Sequence, residues 1–547
     1  MNDSWRRLKN AGYRTRLYRY TLERHQIGQL KFLPPDPWPG DRGKANELFR
    51  GRYRFLGREA QAPNQPPWRL RPDDDEWLAE LHGFAWLRHF EAAGGDAARS
   101  QACRLVRSWI DLCDDIEGVA WSPGVLGRRL TAWLNHGRLL LEDGDEKFSD
   151  AFQGSLSRQW RHLQRASGDA NFGADQMSAL LGLIYGAMAQ VGAEDIAEKY
   201  LTQLKALIAQ QILPDGGYFS RSPTDLHTTL RQLISLREAM GDMGKPIPIW
   251  LRDKITLMLP PLRGLRHGDG GLALFNGGFE EDGSRLDLTL RKAGEEGQPL
   301  HSATHSGFHR LAAGRAVLLA ETAPPPAGAW GRYAHAGGGG FELSIGKHRL
   351  VVNCGSGRHR NSDWRTAART TAAHSTLQLG AANAWPIMRD GGFGPNPTRL
   401  KCRRNEDQFG NSWLEMHHDG YSQRFGLTHR RRLYLDATGE DIRGEDRLEV
   451  SSSGRSAGAA DDIAVAVRFH LHPGVQASAL HGGSAVLLRL ADGQGWRFRA
   501  SGAQISMEDS IYLGQRERIR RSQQIVLSTT CNDEGAVIKW AFQQVNP

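Results

Sequence analysis

THRRRLYLDATGEDIRGEDRLEV, residues 428–450, alternates apolar and polar side chains on both sides of a turn at Ala437-Thr-Gly. A period of two marks a strand with one face buried, and two such runs on a short turn make a hairpin. The same period runs through AGRAVLLAET (313–322), GFELSIGKHRLVVNCG (340–355), HSTLQLG (374–380) and AVAVRFHLHPGVQASAL (464–480). It continues in SAVLLRLADGQGWRFRASGAQISMED (484–509) and QQIVLSTT (523–530). Turns such as Ile345-Gly-Lys and Ala491-Asp-Gly separate these runs, with no helical stretch between them. Many strands on short turns predict an antiparallel β-sandwich over 291–547.

Upstream the period changes to three and four. Trp77, Leu78, Leu81, Phe84, Leu87 and Phe90 follow it, as do LGRRLTAWLNHGRLLLE (126–142), MSALLGLIYGAMAQVG (177–192), EDIAEKYLTQLKALIAQQI (194–212) and LHTTLRQLISLREAM (226–240). Breaks fall at Trp121-Ser-Pro, Ser167-Gly-Asp and Pro214-Asp-Gly-Gly. Helices on short loops predict stacked hairpins over 76–290, compatible with a toroid or solenoid. Residues 1–75 read as an arm packed on them, with an extended Pro34-Pro-Asp-Pro-Trp-Pro and a short hairpin near 51–59. Asn276-Gly-Gly, Asp282-Gly and Gly294-Glu-Glu-Gly crowd the boundary between the two halves. The expected class is α+β, multidomain.

The 547 residues are 39% hydrophobic and 24% charged, a folded rather than a disordered balance. A net charge of +9 favours an acidic partner. Arginine is interleaved with acid throughout, and no nucleic-acid-binding motif stands out, so the expected partner is an acidic polysaccharide and not nucleic acid. Sixteen tryptophans suit either sugar-stacking platforms or core packing. The five cysteines are scattered without disulfide or metal spacing. The basic N-terminus lacks an apolar core and no window reaches roughly 18 apolar residues, so no integral membrane segment is expected and the location reads as cytoplasmic.

One constellation in the strand half carries possible chemistry. Tyr333 and His335 precede the run Gly337–Gly340, Asn353 ends a strand, and His374 follows the arginine-rich DWRTAARTT (363–371). Two histidines and an amide oxygen suit zinc if they converge, but the spacing is wide and Asn a weaker ligand than Asp, so the residues alone read first as structural, hydrogen-bonded histidines. Asp215, Asp225 and Asp269 are the carboxylates a glycoside hydrolase would need, although no pair among them stands out.

YAHAGGGGFELSIGKHRLVVNCG, then TAARTTAAHSTLQL and RFHLHPG (468–474), resemble the opening and a later strand of the heparinase II/III β-domain. WSPGVLGRRLTAWL (121–134) and QQILPDGGYFSRSPTDLH (210–227) are similar to the family's arginine-tryptophan helix and Asp-Gly-Gly loop. The resemblance implies an incomplete α/α toroid followed by a β-sandwich, and a lyase that cleaves uronate-containing polysaccharide by β-elimination. It implies zinc at His335, Asn353 and His374, and an envelope location as the alternative to a cytoplasmic one. Tyr333, Tyr218 and His227 are then the candidate acid and base groups, and Arg221, Arg365, Arg369 and Trp364 the candidates for holding sugar carboxylate or sulfate. The sequence departs from the family where Leu226 replaces its tyrosine, Asn353 its aspartate and Tyr333 a histidine; its Asn-His pair is not evident. These departures motivate the alternative of a non-catalytic glycan-binding or envelope polysaccharide assembly protein. Either reading requires the loop near 215–227 to meet the first sandwich strands.

Overall fold

The computed structural model describes residues 9, 11–23, 30–72, 74–113, 115–142, 145–294, 297–360, 362–389, 391–393, 400–451, 462–532 and 535–545. Most of the first ten residues of the basic N-terminal stretch, and Glu295-Glu296 of the boundary, lie outside them. The chain divides into two compact units, Met1–Gln210 with Gln232–Arg252, and Gln211–Arg231 with Asp253–Pro547.

The first unit is helical, apart from the hairpin Arg52–Phe55 with Arg58–Gln61 that the sequence places at 51–59. Helix Pro123–Asn135 crosses helix Ala174–Met188 with the two backbones almost touching. A Cβ on Gly127 would stand 2.1 Å from the Ser178 carbonyl oxygen, so glycine alone permits the crossing. Beside it Trp109, Trp121 and Trp133 are buried around Arg129. The Arg129 guanidinium lies 4.0 Å from the Trp109 ring centroid and donates to Gln159 and to the His82 and Ala120 carbonyls. These tryptophans are core residues, not exposed platforms.

The second unit holds two antiparallel sheets. In one, the strands run spatially from the edge strand Gln504–Tyr512 through Arg520–Cys531, Ile463–Leu471, His348–Val352, Phe341–Ile345, Ala316–Glu321 and Phe308–Ala313 to Ser302–Ala303, with Leu377–Leu379 paired to Ile463–Leu471. In the other, Gln476–Ala479, Val486–Arg489 and Gly495–Ser501 lead to Ala536–Val545, then Asp441–Val450, Leu427–Leu435, Ser412–His418 and the edge strand Leu400–Glu406. The stretch 428–450 is the hairpin its alternation predicts, with Leu427 opposite Val450 and Leu435 opposite Ile442. The facing sides bury Phe341, Phe469, Phe498, Trp540 and Phe542, with Phe341 stacked on Trp540 at 5.5 Å and 3°.

One buried charge network crosses this apolar layer. Asp446 accepts from Arg431 (2.7 and 3.0 Å), from the Trp540 indole (2.9 Å) and lies 2.8 Å from His429 Nε2. Arg431 also donates to the Gly339 and Ser375 carbonyls, both at 2.8 Å, and so ties the second sheet to the loops of the first.

Candidate functional site

Two loops of the second unit fold alike. In Ile212–Tyr218 and Arg266–Leu272 the end residues form an antiparallel bridge around an Asp-Gly-Gly turn. Asp215 and Asp269 each accept the N–H two residues on, at 3.0 and 2.8 Å. Each carboxylate then reaches outward, Asp215 to Ser306 (2.7 Å to its N–H) and Asp269 to Arg349 (2.7 Å). Burial alone would raise Asp269, but the Arg349 charge and hydrogen bonds outweigh it and hold the carboxyl at about 2. Asp225 is paired with Arg358 at 2.7 Å. Each hydrolase candidate is therefore engaged by a partner, and the three form no acid–base pair.

The first of these loops meets the sandwich strands through Arg221. Its Nε donates to the Ser306 carbonyl (2.8 Å), Nη1 to those of Ala323 (2.9 Å) and Pro324, and Nη2 to Glu321 (2.8 Å). Asn276 Nδ2 donates to the same Glu321 oxygen at 2.6 Å, while Asn276 Oδ1 accepts the His335 N–H at 3.1 Å. Arg221, Asn276 and the nearby Glu281 all hold left-handed φ, at 59°, 48° and 53°. Three non-glycine residues in that region mark a strongly constrained junction. Burial lowers the Arg221 pKa and raises that of Glu321, with the opposite charge limiting both shifts. The expected juxtaposition is thus present, but this arginine braces it instead of facing a sugar.

Tyr218 and His227 sit inside the protein. Tyr218 is buried and donates to Gln211 at 3.2 Å, and burial pushes its phenol well above the usual range. His227 lies 2.9 Å from Thr289 Oγ1, and burial lowers it to about 3, so the ring is neutral. Arg369 is likewise internal. It donates to the carbonyls of Ala334 (2.7 Å) and Gly331 (2.9 Å), fixing the turn Gly328–Tyr333. Arg365, one helical turn earlier in Ser362–Arg369, is partly exposed and makes no ion pair with the described residues; Trp364 is partly buried.

Tyr333 ends its turn half-buried, with the Arg358 guanidinium 4.1 Å from the ring centroid. Since Arg358 is also bound to Asp225, it links the tyrosine to the first turn of helix Pro223–Asp242. Nearby, Phe279 is stacked by His359 (5.3 Å, 6°), with the Arg516 guanidinium 4.7 Å from its ring centroid.

His335 and His374 do converge, with Nδ1 of the first 3.0 Å from Nε2 of the second. Because His374 Nδ1 faces the Thr370 carbonyl at 2.8 Å it carries the proton, which leaves Nε2 to accept from His335. Burial keeps both rings neutral. Asn353 Oδ1 accepts the Ser375 N–H (3.0 Å) and its Nδ2 donates to Glu342 (3.1 Å). Glu342 is itself buried and bound by His267 (2.8 Å). His374 Nε2 and Asn353 Oδ1 are engaged by neighbours, and among the described residues no cluster of three His, Cys, Asp or Glu could hold an ion. Zinc at His335, Asn353 and His374 would require His374 Nε2 and Asn353 Oδ1 to give up these partners.

Sequence reasoning missed Glu321, Glu342, Asn276 and Arg358. Both glutamates lie in strands, where alternation carries no sign of a buried carboxylate. Asn276-Gly-Gly reads as a linker, and its glycines were the only signal of a constrained turn.

Residues 295–541 match the family described as Heparinase II/III-like, C-terminal. Over 527 residues the chain is 30% identical to FtsZ-localized protein C of Caulobacter vibrioides, covering 93% of this chain and 89% of that protein. Its fold is similar to the crystal structure of heparinase III, at a TM-score of 0.73 and 13% identity over 99% of this chain and 91% of that one. A heparan sulfate lyase HepC mutant from Pedobacter heparinus aligns at a TM-score of 0.64 and 16% identity, over 97% and 87% of the two chains. At such identities the structural likeness speaks to the fold alone.

Proposed function

The chain belongs to the heparinase II/III-like family, an α/α toroid followed by a β-sandwich, and from that premise we propose that it is a non-catalytic member that localises with FtsZ. One observation carries the loss of catalysis. Of the groups able to supply acid, base or carboxylate neutralisation, Tyr218, Arg221, His227, Arg369, His335 and His374 are buried and bonded to the protein itself. A β-elimination site needs such groups facing substrate. The localisation rests on the whole-length relative, whose name places that protein with FtsZ.

A second reading, an acidic-polysaccharide lyase, is favoured by Arg358 over the Tyr333 ring. In that reading Tyr333 would act as the base and take the uronate C5 proton. The C5–H electron pair would form the C4–C5 double bond, the C4–O4 bond would break, and an acid would protonate O4.

The two readings separate in paired experiments. A fluorescent fusion should co-localise with FtsZ, and the purified full chain should yield no unsaturated uronate absorbance on glycosaminoglycans, alginate or bacterial exopolysaccharides. Ultraviolet-absorbing product that disappears in Tyr333→Phe would establish the lyase instead. A diffuse fusion, indifferent to FtsZ depletion, would remove the localisation.

A further inference from the structure

The outward face of the sheet ending at Leu400–Glu406 has an unusual charge pattern that the register makes explicit. Lys401 pairs with His417, His417 with Arg430, and Arg430 with Arg447, across four neighbouring strands. Like-charged residues directly opposite one another weaken a sheet. The next row, two residues along, is ordinary: Arg403, Glu415, Arg432, Glu445 and Lys539 alternate in sign. Arg432 and Glu415 there are 2.6 Å apart.

Folding does not call for the basic row. All four side chains are exposed or partly exposed, so none is needed to satisfy a buried carboxylate. Lys401 and His417 make no ion pair with the described residues. Arg430 and Arg447 share only Glu449, at 3.8 and 4.0 Å, and Arg447 lies 3.5 Å from Glu445. One and a half carboxylates thus face three permanent cations and a histidine.

We propose that this row is a docking site for an acidic polypeptide segment, a surface separate from the Tyr333 site and independent of the function assigned to that site. Strand spacing puts the four groups over roughly 14 Å. In an extended peptide, side chains on one face recur about every 6.8 Å, so alternate carboxylates over about five residues match the row's length. Guanidinium forks favour carboxylates, which they bind in two-pronged fashion. Glu415, Glu445 and Glu449 on the same face disfavour a broad, uniformly anionic surface or polymer, whereas a narrow acidic strand laid along the row avoids the first two. Trp413, partly exposed on the strand of His417, offers a fluorescent reporter four residues from the row.

The test uses the full chain and poly-L-glutamate as the probe, read by titration calorimetry and by intrinsic fluorescence at low and at moderate salt. Binding should weaken with salt, fall about tenfold in Lys401→Gln/Arg430→Gln, and change less than about twofold in Arg432→Gln. The double variant should keep or raise its Tm, because each of the row's three pairings contains Lys401 or Arg430. No binding by the wild-type chain, or equal losses in Arg432→Gln and the double variant, would overturn the proposal. So would heparin or phosphatidylglycerol vesicles depending on the row while poly-L-glutamate does not. None of these outcomes bears on FtsZ localisation or on lyase assays, so the two readings fail separately.

Discussion

Asp446 shows what a single buried charge does here. Burial alone would raise its pKa, but Arg431 and His429 outweigh it and hold the carboxyl well below the usual carboxylate range. Replacing it in Asp446→Asn leaves Arg431 in the core without its counter-charge, and a broken buried pair costs about 3–5 kcal/mol. Urea unfolding should register that loss, and a variant within about 1 kcal/mol of wild type would show that the core tolerates the unpaired guanidinium. A comparable loss is expected for Arg221→Met, which strands Glu321, and should appear in the same measurement. The sequence shows why these residues were only half legible. His335 and His374 were placed together by their motif, and they do meet. Arg221 and Arg369 look like sugar-binding forks because they stand in polar stretches, yet the carbonyls that accept their hydrogen bonds come from residues 85 and 35 positions away in sequence. Periodicity holds no record of such distant partners.

Strand elements were legible where alternation of residue type continues on both sides of a turn, as in 428–450, even though His429, Arg431 and Asp446 interrupt the apolar face. Leu400–Glu406, LKCRRNE, escaped notice because three basic residues leave only Leu400 and Cys402 to signal its inner face. Ser362–Arg369 is arginine-rich in sequence and is a helix; its short apolar stripe is too brief for a period to emerge. Glycine inside a strand is equally silent about its cause. At Gly444 the cause is Trp540, for a Cβ there would lie 2.0 Å from the indole ring that stacks on Phe341. Gly444→Val should displace this ring and cost about 1–3 kcal/mol, detectable as a lower Tm with altered near-ultraviolet circular dichroism. An unchanged spectrum would mean that the strand itself gives way.

For the molecule as a whole, acid sensitivity follows from its buried imidazoles. Burial lowers His82, His227 and His470 to about 3, and His162, His309 and His374 to about 4. Their unfolded values lie near 6.5, so between these limits the unfolded chain binds protons that the folded chain refuses. The contribution of these six rings is complete above about pH 6.5 and falls as pH drops toward 4, each group contributing up to about 1.4 kcal/mol per pH unit. Asp269 and Glu280, both held at about 2, extend the loss below about pH 4, where their unfolded counterparts protonate first. Tm should therefore fall steadily between pH 7 and 5, and a flat profile would contradict the neutral buried rings. The two-part architecture was legible from the change of period, whereas the order of strands was not, since alternation says which face is buried and not who the neighbour is. That order has a consequence for biosynthesis. Ala536–Val545 fits between Gly495–Ser501 and Asp441–Val450. Until the ribosome has released this segment, two sticky flanks wait open on a half-built sheet, so the nascent chain is vulnerable to misassociation until Ala536–Val545 emerges.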